Sequence, residues 1–452
     1  MRASYDAAAT SDENKRHWTH TDGLSARRAN SPQVRKILRD RARYEVANNS
    51  YASGIVATLA NNLVGEGPRL QLQTADDPAN RWVERRWAEW SQAVRLPDKL
   101  RTAKRSKSVD GEGIGLQITN PLLNSAVQLD VLLLETDQMA DLFISPIDHL
   151  AVDGLRLDDY GNVTEYHFLP HHPGDWFASP VEVKRVHPRN VLHWYRRERP
   201  GQYRGIPELT PALGLFAQLR RFTLATITAA ETAANFAAVL KSQAPPNTDE
   251  ALPDPFDTLE IERGMMTQLP GGWEMQQFKA EHPATTYEMF VWCVMREVAR
   301  CLHIPLNIAL GDSSKSNFSS ARLDHLVYRQ AVKVEREDCE REFLEPLFAS
   351  WLHEATLIPG YLPANLPADP SSLPHCWHWP PWEAIDAKVE AEADEVRLRT
   401  GTATLQQLAG EQGRDWRQMV KETVQVELYR EQVKRELAAA AERQEEGAGN
   451  AA

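Results

Sequence analysis

The sequence predicts an α+β fold that is mainly helical, and three observations carry the prediction. Apolar residues recur at helical spacing from Ser31 to Leu63. From Val109 to Val191 the pattern changes to short apolar runs separated by Asp-Gly and Tyr-Gly-Asn turns. Beyond Pro207, helical periodicity returns and is interrupted only by connectors rich in proline or glycine.

Each element follows from its residues. Residues 1–26 are polar and read as a disordered tail. One long helix is expected from Ser31 to Leu63, through Arg35, Leu38, Tyr44, Val46, Tyr51, Ile55 and Leu59, ending at the turn Gly65-Glu66-Gly67-Pro68. Arg81 to Trp90 forms a short amphipathic helix anchored by Trp82, Trp87 and Trp90. Val127 to Leu134 reads as a strand, and HLAVDGLRLDDYGNVTEYHFLP as strand, turn and strand. Glu208 to Lys241 is an Ala- and Thr-rich helix that stops before Pro245-Pro246. Its small side chains suit close packing against a neighbouring helix or against copies of itself. A hairpin is expected where Pro270-Gly271-Gly272 joins MMTQL to WEMQQF. Thr285 to His303 and Ala321 to His353 are helical, the second with Leu323, Leu326, Val327, Ala331 and Val334 on one stripe. After a connector from Pro359 to Pro381, charged helices begin near Glu383 and again around Asp415 to Ala441.

Composition limits the function classes. The 452 residues suit two or three domains, and 42% hydrophobic with 25% charged residues is ordinary for a globular protein. The longest apolar runs fall short of a membrane span, and MRASYDAAATSDENKRHWTH lacks the apolar core of a signal peptide. Cys293, Cys301, Cys339 and Cys376 show no metal-ligand spacing and read as reduced core thiols in a cytosolic setting. With 51 Lys and Arg against 63 Asp and Glu, the net charge is −12, without the basic footprint of a protein that grips DNA. The basic runs Arg27–Arg43 and Lys99–Lys107 read as solvated helix faces.

Few residue groups in the sequence suggest chemistry. His171, His172, His187 and His193 lie near Asp153, Asp158 and Asp159, which would suit a metal-dependent nuclease if three of them converged. Their spacing matches no paired-ligand pattern, so ordinary loop and strand residues are the expectation. Asp110-Gly111-Glu112-Gly113 brings two carboxylates together, but its glycines read better as a tight turn. No catalytic residue, cofactor or metal is predicted. IPLNIALGDSSKSNFSSAR at 304–322 is more informative. Pro305 stops a helix, a polar loop follows, and Ser319-Ser320 are expected to cap a helix starting at Ala321. The loop offers Ser313, Ser314, Lys315, Ser316 and Asn317 to something large and polar.

Several segments, in order, then support a resemblance. They are RYEVANNSYASGIVATLANNLVGEGPRLQ, the Asp-Gly-Glu turn at 110–112, LDVLLLETDQM, HWYRRERPGQYRGIPELTPAL, the helix ending NFAAVLKS, EVARCLHIPLNIALGDSSKSNFSSAR and WPPWEAI. Together they span roughly residues 27–435, and this chain resembles the lambda-like portal proteins of tailed bacteriophages. It departs from the family pattern near Trp382, where Ile385-Asp386-Ala387 replaces Asp-Pro.

The resemblance implies a portal fold assembled as a dodecameric ring at a capsid vertex, through which double-stranded DNA is packaged and ejected. It implies a wing at 27–207, stem helices at 208–241 and 283–308, a clip at 242–282 and a tunnel loop at 309–319. Residues 320–382 would carry the following helix and return to the wing, 383–441 would form the crown, and 442–452 a disordered tail. Pro270, Gly271, Gly272 and Trp273 would dock the terminase large subunit in the clip. Other implied partners are head-completion and connector proteins and the major capsid and scaffold proteins; no membrane is involved. The location would be the virion, preceded by the host cytoplasm during assembly. The alternatives are a metal-dependent nuclease and a monomeric DNA-binding or scaffold protein.

Overall fold

The computed structural model describes residues 12, 15–140, 150–175, 183–235, 239–242, 273–276, 284–363, 366, 373–382, 387–412 and 414–449. Helices α1 (Ala26–Ala29), α2 (Pro32–Asn48) and α3 (Ser50–Val64) come first, then β1 (Arg69–Leu72), α4 (Asp77–Ala93) and α5 (Leu96–Asp110). Strands β2 (Glu112–Thr119), β3 (Leu129–Leu134), β4 (Ala151–Val152), β5 (Leu155–Leu157), β6 (Val163–Phe168), β7 (Lys184–Val186) and β8 (Val191–Tyr195) follow. The second half holds α6 (Leu213–Asn235), β9 (Val239–Ser242), β10 (Trp273–Gln276), α7 (Ala284–Cys301), α8 (Leu306–Leu310), α9 (Phe318–Cys339) and α10 (Glu345–Leu357). Strand β11 (His375–His378) and helices α11 (Ala387–Thr400), α12 (Leu405–Glu411) and α13 (Trp416–Gly449) close the chain. The mainly helical α+β expectation is met. Among the described residues no helix is long and apolar enough to cross a membrane.

Two compact units form, one from Met1–Arg39, Val56–Pro207 and Arg329–Ala452, the other from Asp40–Ile55 and Glu208–Tyr328. The first unit contains an antiparallel sheet in the order β3-β2-β8 and a second in the order β4-β5-β6-β7. Strands β1 and β11 pair from Arg69↔His378 to Leu72↔His375, joining segments some three hundred residues apart. An aromatic core fills this unit. Trp87 has Trp90, Phe348, Trp351 and Trp377 around it at centroid distances of 4.8, 5.5, 5.4 and 5.4 Å. Trp82, expected as a third anchor, stays on the surface and donates its indole N–H to the Tyr361 carbonyl at 2.8 Å.

The WPPW segment is held largely by Arg336, with Glu340 and Arg329 also on its tryptophans. Arg336 donates to the carbonyls of Leu63, Asn62 and Pro380, and its guanidinium lies 5.3 Å from the Trp379 ring and 5.8 Å from that of Trp382. A π turn at Glu340–Leu344 separates α9 from α10, and Glu340 there accepts the Trp379 indole N–H. The end of α9 is thereby tied to a segment forty residues downstream.

Nearby, His375 Nε2 lies 3.1 Å from both Glu345 carboxylate oxygens, and Trp377 donates to Glu345 at 2.7 Å. The Glu345 contact raises the His375 pKa above its ordinary value, against the opposing effect of burial. Burial pushes Glu345 upward, but His375 and Trp377 outweigh it and hold that carboxyl below its usual range. The His375 contribution to stability is therefore complete below about pH 6.5 and disappears as pH rises through its raised folded value. The Glu345 contribution is present above the ordinary glutamate range and is lost as pH falls through the depressed value. In chemical denaturation at about pH 6 and about pH 9, His375→Gln is expected to fall short of wild type mainly at the lower pH. An equal deficit at both would remove this assignment.

In the second unit α6 packs on α7. The Phe222 ring lies 4.1 Å from that of Phe290 and stacks on Tyr287 at 5.7 Å, while the Thr223 and Tyr287 hydroxyls are 3.1 Å apart. Strands β9 and β10 pair antiparallel from Trp273↔Ser242 to Gln276↔Val239.

Several expectations need correction. The single helix at 31–63 is two, because Asn49 interrupts it and its side-chain oxygen accepts the Tyr51 and Ala52 amides at 3.0 and 3.4 Å, capping α3. The helix expected from Glu208 starts at Leu213, after a 3₁₀ turn containing Pro211, and Val239–Ser242 is strand. The described partner of WEMQ is therefore β9, while MMTQL and the turn Pro270, Gly271 and Gly272 lie outside the described residues. Trp273 begins β10. Cys293 is exposed, unlike the core thiol expected, whereas Cys339 is buried.

The basic runs are solvated faces only in part: Arg28, Lys36, Arg41 and Arg105 are exposed, and four other cations are buried. Arg35 and Arg39 are buried beside Asp153 and Asp137. Lys104 and Lys107 are buried on Glu335, with the Trp194 ring 5.9 and 5.2 Å from their ammonium groups. Charges that read as surface on a helical wheel are internal because their partners come from distant segments.

Candidate functional site

The contact loop lies between α8 and α9. Gly311, at φ +67°, ends α8, and residues 311–317 are all exposed. Asp312 accepts the Ser314 amide at 2.8 Å and its hydroxyl at 3.0 Å, which holds the Asp312 carboxyl below its usual pKa. The Ser316 amide donates to the Ser313 carbonyl at 3.0 Å. Asn317, not Ser319-Ser320, is the cap: its side-chain oxygen accepts the Ser320 amide and hydroxyl, each at 2.8 Å, so the helix begins at Phe318 rather than Ala321. Two candidate contact residues, Ser314 and Asn317, are thus largely committed to local structure.

Lys315 is both exposed and partnered. Its ammonium pairs with Glu288 of α7 and sits 4.7 Å from the Trp292 ring, one turn further along that helix. The lysine side chain is 51% exposed and the glutamate 60%, so water competes with the pair. Nothing in the sequence near Lys315 signalled this arrangement, since both partners lie more than twenty residues upstream.

The acidic and histidine groups singled out in the first half go elsewhere. Glu112 and Arg204 are fully buried and meet in a bidentate pair, Nε–Oε1 2.8 Å and Nη2–Oε2 2.9 Å. The Gly205 amide donates to Glu112 at 2.6 Å, and Arg204 also donates to the Met139 and Asp153 carbonyls. Asp153 in turn holds Arg35, Asn30 donates to the Arg204 carbonyl at 2.8 Å, and His193 Nε2 lies 3.4 Å from Glu112 Oε1. Burial pushes the Glu112 carboxyl up, but Arg204, aided by His193, holds it well below the ordinary range.

Two glycines permit this meeting. A Cβ on Gly205 would lie 2.0 Å from the Gly111 carbonyl oxygen, and Gly111 itself adopts φ +95° against Ile206. The Asp-Gly-Glu turn and the Tyr-Arg-Gly-Ile stretch are two sides of one backbone crossing. Distant pairing of this kind leaves no local signature, which is why the sequence pointed to each segment without its partner.

Of the remaining candidates, Asp158 closes a tight turn through the Tyr160 and Asn162 amides, and His187 caps a 3₁₀ turn. Glu135, Asp137 and His172 do converge within 4.8 Å. Their donor chemistry does not fit a metal. His172 Nδ1 accepts the Gly174 amide at 3.0 Å, so a neutral ring carries its proton on Nε2, the nitrogen 3.5 Å from both carboxylates. A metal-binding imidazole has the reverse arrangement, with the outer N–H donating away from the ion. Arg39, moreover, already holds Asp137 at 2.8 Å.

Among the described residues, most of the acidic and histidine groups singled out in the sequence are occupied in holding the chain together. Comparison with known proteins supplies the class. Residues 12–336 match the phage portal protein, lambda family. A probable portal protein of Halomonas phage phiHAP-1 is 23% identical over 416 residues, covering 84% of this chain and 78% of that protein. Among solved structures, the neck of an empty GTA particle, computed with C6 symmetry, aligns with TM-score 0.50 at 14% identity over 83% of this chain and 93% of its own. A chain from the virion of a native gene transfer agent particle gives TM-score 0.48 at 13% identity, covering 80% and 88%. The chain belongs to the lambda family of phage portal proteins, and its function is that of a capsid portal.

Proposed function

We propose that copies of this chain assemble into a dodecameric ring through which double-stranded DNA is packaged and ejected, with 309–319 as the tunnel loop. The observation that carries this reading is the chemistry of that loop. It exposes a lysine whose charge is already balanced by Glu288. Duplex DNA presents about one negative charge per 1.7 Å of axis, and a channel densely lined with free cations would bind it tightly and stall it. Here a phosphate that takes Lys315 must displace Glu288, exchanging one weak ion pair for another. The net charge of −12 adds mild repulsion from the walls. DNA can then touch the loop and leave it.

In this reading 27–207 is the wing, 208–241 and 283–308 the stem, 242–282 the clip and 383–441 the crown. The clip, with Trp273 at the start of β10, docks the terminase large subunit and later the connector proteins. Capsid and scaffold proteins are the other partners, in the host cytoplasm and then at the virion vertex. The subunit performs no catalysis of its own. Negative-stain microscopy of the purified protein is expected to show rings with a central hole. Particles that remain monomeric over a broad range of salt and concentration would overturn the proposal.

A further inference from the structure

The last helix, α13, is 34 residues long, and almost none of its described surface is covered. Its base is fixed, since Arg417 pairs with Asp77 of α4. Beyond that point Val420, Val424, Val426, Leu428, Tyr429 and Leu437 are 40% to 67% exposed. A helix this long with large apolar residues facing water is not stabilised by its own chain.

Apart from Tyr429, these apolar residues fall into two seams. At about 100° per residue, Met419, Val426, Val433 and Leu437 lie within about 20° of one line along the helix. Val420, Val424 and Leu428 form a second line, about 155° around from the first, which Glu431 and Arg435, paired at 3.8 Å, continue toward the C-terminus. One apolar seam suits one partner helix. Two distinct seams suit a helix with a neighbour on each side, and different seams meeting at each contact make the interface heterologous. The angle also carries information, because a closed ring of about twelve parallel helices requires seams about 150° apart and a ring of about six requires about 120°.

Charges flanking the seams agree with this arrangement. When the first seam of one copy faces the second seam of the next, Glu422 of the first copy comes beside Lys421 of its neighbour on one side of the contact. Arg430 comes beside the neighbour's Glu427 on the other. Opposite charges therefore meet on both sides of the apolar strip. A twofold pairing of the first seam with itself would use one seam and leave the other in water.

We propose that α13 packs side by side with the same helix of two neighbouring copies, the Met419–Val426 part of the first seam of one against the Val420–Val424–Leu428 seam of the next. This inference rests on the ring reading above, and it names residues that reading does not. The test is oxidative cross-linking of full-length protein in a Cys293→Ser background, with negative-stain images of the same samples. Carrying both Val424→Cys and Val426→Cys is expected to produce a ladder of covalent species well beyond the dimer on a denaturing gel, while either substitution alone stays monomeric. Glu422→Lys should weaken the ladder, and adding Lys421→Glu should restore it. Val426→Cys alone giving dimers, with the double variant going no further, would overturn the proposal in favour of twofold pairing. Intact rings without cross-links would also overturn it and leave the portal reading standing. Absence of rings would fail the portal reading itself, and this inference with it.

Discussion

Arg204→Met is expected to destabilise the subunit by about 3–5 kcal/mol, because it strands the Glu112 carboxylate in a fully buried position. The bidentate partner disappears, and only the Gly205 amide and the more distant His193 remain. Asn30 and Asp153, tied to the same arginine, lose geometry as well. Removing both charges with Glu112→Leu and Arg204→Met should recover part of the loss, since most of the penalty comes from an unpaired buried charge rather than from a missing attraction. The pH dependence follows from the depressed Glu112 pKa. In the wild type this group adds stability above the ordinary glutamate range of about pH 4.5, and that contribution is lost as pH falls through the lower folded value. In Arg204→Met the buried carboxyl gains by taking up a proton, so the gap between the two proteins should narrow on acidification. Chemical denaturation across pH measures both effects. An unchanged midpoint at neutral pH would show that the pair does not hold the crossing of the Asp-Gly-Glu and Arg-Gly-Ile segments.

Lys315→Gln should leave rings intact and lower the amount of genome packaged or retained several-fold, on the order expected from deleting a phosphate contact in every copy. The glutamine keeps most of the side-chain length over Trp292 and removes only the charge. Lys315→Glu is the harsher change. It places a carboxylate beside Glu288 and near Asp312, so the loop is repelled from α7 as well as from DNA. The two variants therefore separate the phosphate contact from loop anchoring, and Lys315→Glu is expected to package less than Lys315→Gln. Assembly is read by microscopy and packaged length by gel analysis of extracted DNA. Normal packaging by Lys315→Gln would remove this lysine from the DNA path.

Some of the fold was legible because its causes are local. Helical spacing located α4, α7 and α9, and Asp-Gly and Tyr-Gly-Asn turns bounded strands β4, β5 and β6. The stripe Leu323, Leu326, Val327 and Val334 was also visible as a pattern. Its meaning was not, because those residues face outward and α9 buries Tyr328 and Val332 instead. Caps were legible in type but not always in place: Asn49 split one helix, and Asn317 took the role expected of Ser319-Ser320.

By itself the sequence determined the fold class, the family resemblance, and a polar loop carrying Lys315 between two helices. These depend on residue type and spacing along the chain. Only the tertiary structure decided which charges are partners. It joined Glu112 to Arg204, Lys107 to Glu335 and Lys315 to Glu288, across separations of ninety-two, two hundred and twenty-eight and twenty-seven residues. A Coulombic pair is set by distance in space, and composition and periodicity contain no record of that distance. Arg35, Arg39, Lys104 and Lys107, in runs that read as surface, are for that reason interior, and Lys315 is held by Glu288 in a solvent-exposed pair.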